Sequence, residues 1–193
     1  MQGARGFRRL AAATTLLILA QLILGASMRH QHAGLAIPDF PAAYGRLWPA
    51  TDDASVARYN QTRVEVVALN PITAGQIHLQ MAHRFTAVLI LSLALAVAVT
   101  VHRRFRWNTR LVAASRLLLG LILLQAVLGA VTIWSNKAAD MATAHVAVGA
   151  LCFMTSALLI FVARRTMPEG RESAGAASSP LASLPHGTEA LNA

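Results

Sequence analysis

Four stretches of this chain are each apolar for long enough to cross a bilayer, and no other feature constrains its fold as tightly. About 30 Å of hydrocarbon takes roughly 20 helical residues. The runs extend from about Leu10 to Met28, Ile72 to Val101, Leu117 to Trp134 and Ala142 to Ala163. No backbone polar group can be left unpaired in lipid, so these runs must be helices. The alternating pattern of a barrel strand is absent from them. With 55% of its residues apolar, the chain reads as an all-α membrane protein, not as a soluble domain.

The formal net charge of +9 raises the question of nucleic acid. The arginines, however, sit at the edges of apolar runs and form no continuous patch, and aromatic residues are only 6% of the chain. There is no stacking platform for bases, and a nucleic-acid partner is not expected. Arg5, Arg8 and Arg9 precede the first run, His102, Arg103, Arg104, Arg106 and Arg110 follow the second, and Arg164 and Arg165 follow the fourth. If the helices alternate direction, all three clusters fall on one side, the positive-inside pattern. Both termini are then cytoplasmic in a multi-pass membrane protein, and the long connection 30–76 lies outside. The first run is long for the apolar part of a signal peptide and reads as a retained helix. Residues 167–193 are rich in Ala, Ser, Gly and Pro and read as a disordered cytoplasmic tail. Cys152 is the single cysteine and cannot form an intrachain disulfide. The Asn60-Gln61-Thr62 sequon is too short a pattern to carry weight.

Gln21-Leu22-Ile23-Leu24-Gly25-Ala26 in the first run is matched by Gln125-Ala126-Val127-Leu128-Gly129-Ala130 in the third. Each is followed by an outer connection and a returning run with an intramembrane histidine, His83 or His145. The chain therefore reads as a four-helix bundle made of two repeated helical hairpins. A glutamine four residues before a glycine shares its face, where the glycine admits a neighbour and the amide bonds across helices. Packing is thus the expected role of Gln21 and Gln125.

Counting outward at about 1.5 Å per residue, His83 and His145 both come to roughly 27–28 Å from the inner boundary. Ionisable residues within membrane segments are functional candidates by default, and two at one depth suggest a shared ligand. A haem between two helices wants two neutral imidazoles on opposite sides of its iron. Gly149 and Cys152 beyond His145, and Ala87 beyond His83, are small residues on the same faces. Zinc would need a third or fourth ligand at this depth. The plainer alternative is a pair of interface histidines bonded to neighbouring carbonyls or water. Gln80 lies on the His83 face one turn further out, at the expected rim of a ligand. His78 is turned about 140° from that face, toward water or the loop. Arg84 and Arg29 stand at the outer level, where they can pair with propionates or act as snorkelling anchors.

The outer connection reads Ala33-Gly34-Leu35-Ala36-Ile37-Pro38-Asp39-Phe40-Pro41, then Tyr44-Gly45 and Pro49. With His83-Arg84 and the two Gln-x-x-Leu-Gly-Ala segments, this resembles the haem A synthase family of cytochrome oxidase assembly proteins over roughly residues 10 to 163. The resemblance implies oxidation of the C8 methyl of haem O to the formyl group of haem A. It implies His83 and His145 as haem-iron ligands; given that ligand, Arg84, Arg29 and Gly149 are expected at the cofactor and Gln80 and His78 near the reacting edge. Family members are typically eight helices in two four-helix halves, with substrate haem in one half and a b-type haem in the other. This chain carries one such half, so a second haem would come from a second subunit, in a homodimer, or be absent. Haem O synthase and cytochrome oxidase are the other partners implied. Two substitutions depart from the family pattern. Ile37 and Ala43 stand where many members carry a cysteine pair. Gln80 replaces an acidic residue, and an amide cannot serve as a base. Besides the enzyme, the sequence therefore supports a b-type haem-binding or electron-transfer subunit without synthase activity. A structural partner of an oxidase that holds no haem is the third reading. The expected organisation is one haem-binding transmembrane unit over 1–166 followed by the tail.

Overall fold

The computed structural model describes residues 2–62 and 71–166. The disordered tail expected over 167–193, and residues 63–70 of the long connection, lie outside the described residues. Helix α1 spans Gln2–His30, α2 Asp53–Gln61, α3 Ala74–Arg104, α4 Thr109–Trp134 and α5 Ala139–Thr166, with a short 3-10 turn at Ala33–Leu35. Four of these, α1, α3, α4 and α5, are long and apolar enough to cross a membrane. Among the described residues there is no strand, only an isolated bridge between Ala43 and Arg46.

The spanning helices are longer than their apolar runs because polar residues start and stop them. The Thr73 hydroxyl accepts from the Gln76 N–H while the Gln76 side chain accepts from the Thr73 N–H, a reciprocal cap that satisfies two orphan donors. At the other end of α3, His102, Arg103 and Arg104 occupy the last turn, where positive charge complements the helix dipole. Helix α4 begins at Thr109 and not near Leu117, because the Asn108 side chain accepts from the Leu111 N–H at 3.2 Å and caps it there. Hydropathy alone misses that start, since Arg110 and Arg116 dilute the first turns. Helix α1 likewise takes Arg5, Arg8 and Arg9 into its first turns.

Contacts run from α1 to α3, α3 to α4, α4 to α5 and α5 back to α1. The four long helices therefore close a square, with α3 and α5 on one diagonal and α1 and α4 on the other. Large apolar side chains point outward from every wall, among them Leu16, Phe85, Leu95, Leu117, Val127, Met154 and Phe161, as lipid-facing positions require. Two buried clusters fill the interior. One lies toward the arginine end and joins Phe7, Ile18, Ile90, Val97, Leu111, Leu118, Ile122, Cys152 and Leu159. The other lies under the long loop and joins Ala36, Ile37, Ala43, Tyr59, Ile72, Ile77 and Met81. Buried hydroxyls in the first cluster are satisfied within their own helices, Thr14 by the Leu10 carbonyl at 2.9 Å and Ser156 by Phe153 at 2.8 Å.

Candidate functional site

Between the two clusters lies a layer with a different character. No residue in 19–30 of α1, 82–89 of α3, 123–129 of α4 or 139–148 of α5 is fully buried. His83 and His145 sit in this layer, half-buried, on the diagonal helices α3 and α5, within electrostatic reach of one another. The Nδ1 atoms of both rings are buried without a hydrogen-bond partner, and so are the Oε1 atoms of Gln21 and Gln125. Buried polar atoms are normally paired. Four unpartnered ones at one level of a bundle mark a site with a polar purpose.

Glycines of α1 and α4 back the rings. A Cβ on Gly25 would stand 3.5 Å from His83 Cε1, and one on Gly129 would stand 3.3 Å from His145 Cε1. Each histidine thus lies against the glycine of the Gln-x-x-x-Gly segment on a neighbouring helix. The glutamines brace the same helices. Gln21 donates to the His83 carbonyl at 3.0 Å, and Gln125 Nε2 lies 3.0 Å from where a Gly149 Cβ would stand. Gly25 and Gly129 were not singled out as site residues from the sequence, although the repeated segment containing them was visible. What the segment lacked was the partner across the helix interface.

Gly149 is expected to leave room beside His145. It is buried, and the space its side chain would occupy is taken by Gln125 and by Leu22 Cδ2, 3.2 Å from the Cβ position. Gln80 is expected at a ligand rim but lies under the loop, 2% exposed. Its Oε1 accepts from the Ile37 N–H at 2.7 Å, and its Nε2 donates to the carbonyls of Ile37 at 3.1 Å and Gly34 at 3.3 Å. Each of these bonds is with loop backbone. Arg84 does the same, donating to Ala42 at 2.8 Å and Asp39 at 2.7 Å, with its guanidinium 5.6 Å from the Phe40 ring centre. Its buried Nε has no partner. His78 is exposed and lies 3.2 Å from the Thr51 hydroxyl. Arg29 is exposed in the last turn of α1.

The loop's motif residues form the loop itself. The Asp39 carboxylate accepts from the N–H groups of Tyr44 at 2.7 Å and Gly45 at 2.9 Å. Tyr44 and Gly45 both have positive φ, which Gly45 adopts without steric cost. The Tyr44 hydroxyl donates to Ala36, and its ring stacks on Tyr59 with centroids 3.6 Å apart. Phe40 reaches across to the end of α4, where Trp134 Nε1 donates to its carbonyl at 3.3 Å. Asn60 ties α2 to the start of α3, accepting from Ile72 N–H at 2.7 Å and donating to the Ile72 carbonyl at 2.9 Å. The described part of the loop is therefore tied to α3 through Gln80 and Arg84 and to the end of α4 through Trp134.

The cytochrome oxidase assembly protein family, COX15-CtaA, matches residues 1–157. The chain belongs to that family. Comparison with curated proteins and with solved structures gives no match. Membership ties this multi-pass protein to cytochrome oxidase assembly and haem A synthesis, and so raises the question of haem. Imidazoles are among the side chains that hold haem iron. His83 and His145, each with an unpartnered buried nitrogen and each lying against a glycine, are the donors this layer would offer it. No group of three or more His, Cys, Asp or Glu gathers among the described residues, so the donor set does not fit zinc, which takes three or four protein ligands.

Proposed function

We propose that the protein holds haem between α3 and α5 through His83 and His145 and oxidises the C8 methyl of haem O to the formyl group of haem A. The observation that carries this reading is the layer in which both imidazoles and both glutamine amides retain unpartnered buried atoms. Family membership supplies the identity of the ligand. Converting a methyl to a formyl group consumes one water and releases four electrons and four protons, so an external electron acceptor takes part. When bound, the haem supplies the iron and conjugated ring through which such electrons leave. The chain's own residues bind, orient and shield. His83 and His145 would hold the haem, Gly129 allows the close approach of the His145 ring, Gly25 lies against His83, and Gln21 sets α1 against α3. Gln80 and Arg84 hold the loop that keeps bulk water from this layer. The unpartnered Arg84 Nε is the part of that side chain left to meet a propionate, and exposed Arg29 stands at the same end for the second.

The enzyme works in this proposal in a bacterial plasma membrane, with the arginine end and both termini cytoplasmic. A homodimer would rebuild the eight-helix family arrangement and provide a second haem site. Haem O synthase and cytochrome oxidase are the partners on either side of the reaction. One observation favours a second reading, a b-type haem-binding or electron-transfer subunit. Gln80 stands at the family's acidic position with its amide wholly engaged by the loop, so no base stands there.

Pigment extraction from cells supplied with haem O distinguishes the two. Formyl-bearing haem supports the synthase, and unchanged haem O or haem B supports the subunit. Purified protein carrying His145→Ala should be colourless, and full haem retention in that variant would overturn the ligand assignment under both readings.

A further inference from the structure

The long outer connection carries an apolar projection that its own packing leaves uncovered. From Phe40 to Thr51 the sequence holds no carboxylate and a single charge, Arg46. The chain turns at Tyr44 and Gly45, and Ala43 and Arg46 exchange both backbone bonds across that turn, at 2.7 and 3.1 Å. Ala43 before the turn and Pro49 after it are buried. Leu47 and Trp48 lie between these fixed points and face outward, Leu47 at 93% exposure and Trp48 at 53%. The Trp48 ring lies 5.5 Å from that of Phe85. Phe85 is itself exposed, on a face of α3 that continues through exposed Val88 and Leu89 at the three- and four-residue spacings of one helix face. Phe85 stands 16 residues outward of Val101, about 24 Å at 1.5 Å per residue, inside a hydrocarbon layer of about 30 Å.

We propose that Leu47 and Trp48 are seated in the outer leaflet of the bilayer and anchor the loop there. The occupant follows from continuity. Exposed side chains of a spanning helix meet acyl chains, and a ring packed against Phe85 at that height meets them too. Tryptophan suits the boundary between hydrocarbon and headgroups because its ring is apolar and its one N–H is polar. The Leu47 side chain has no polar atom and gains only by leaving water. A second contact extends the same belt. The Phe40 ring lies 6.2 Å from that of Trp134, an exposed residue at the end of α4. Residues 40–48 thus touch outward-facing aromatics on two neighbouring spanning helices. The proposal is independent of what the histidines hold.

The test attaches a bimane fluorophore to one cysteine of the full-length protein, in a Cys152→Ala background, reconstituted in phosphatidylcholine vesicles. Leu47→Cys is compared with Val88→Cys on the outward face of α3 and with Ala57→Cys, exposed on α2. Brominated phosphatidylcholine should quench the label at position 47 about as strongly as at 88, and most strongly when the bromines lie near the headgroup end of the acyl chain. Iodide, supplied on both sides of the vesicle, should quench position 47 far less than position 57. Iodide quenching equal to that at position 57 would put the turn in water and overturn the proposal. Protection from both quenchers would overturn it as well, because protein would then cover the turn, whether residues 63–70 or a second copy of the chain. Helical content, read by circular dichroism on each labelled sample, reports whether the bundle has stayed folded. Trp48→Cys, labelled and read in the same way, decides the question if the Leu47 variant does not fold.

Discussion

The two halves of the bundle are built on opposite principles. Toward the arginine end the interior is filled by large side chains such as Phe7, Leu111, Leu118 and Leu159, each at most 2% exposed. Toward the loop end, at the level of His83 and His145, no side chain is fully buried and polar atoms lack partners. The first half meets the requirement of close packing. The second violates the rule of polar satisfaction in the way functional sites do. A membrane bundle that needs both stability and a ligand site can therefore separate them along its axis.

The sharpest test of that division is removal of a histidine. His83→Ala should abolish haem retention while leaving the filled half intact, seen as loss of the Soret band with helical content unchanged. Loss of helix in the same variant would mean that the two halves do not stand independently. The next largest effect compares two truncations on one helix. Leu118→Ala lies in the filled cluster and should cost about 2–5 kcal/mol. Leu128→Ala, in the histidine layer, should cost well under that, with both read by denaturant unfolding in micelles. Equal costs would erase the contrast.

A more local effect is expected from Gln80→Leu. It leaves the Ile37 N–H and the Gly34 carbonyl without their partner, at about 1–3 kcal/mol for a buried unpaired group, while Arg84 still donates to the Ile37 carbonyl at 3.5 Å. The loop should loosen while the spans hold, so limited proteolysis should cut between residues 37 and 50 sooner than in the parent protein. The smallest effect belongs to the exposed Asp52. Its carboxyl is held below its ordinary value of 3.8, chiefly by the hydrogen bond from Ser55, as an N-cap of α2. A depressed folded value means that the cap contributes fully above pH 3.8 and is lost as pH falls through the lower folded value. Amide exchange in α2 should accelerate only in that acid range, and Asp52→Asn should flatten the dependence.

The sequence made the spans legible because hydropathy and length alone decide them, and it made the histidines legible because charge in lipid is rare. Matching depth followed from counting along helices. It did not reveal α2 or the early start of α4, because caps such as Asp52 and Asn108 act through single hydrogen bonds that leave no periodic trace. Nor did it reveal the roles of Gln80 and Arg84. Their spacing from His83 fixes an angle on α3 but not what packs there, and the loop claims both. Gly25 and Gly129 lay within a segment noted for its repetition, yet only the packed bundle shows which ring each one faces.

The anchoring of the loop has a consequence for the order in which the protein can be assembled. Ile37 is held by Gln80, 43 residues further along the chain, and Phe40 is bonded to Trp134, 94 residues further along. At a synthesis rate of about 5–20 residues per second, the loop would wait roughly 2–9 s for its first anchor and roughly 5–19 s for its last. During that interval the loop has its internal bonds, such as those from Tyr44 and Gly45 to Asp39, but not its ties to the helices. The anchoring is therefore completed only when the end of α4 is in place, after α1 and α3 have had time to pair.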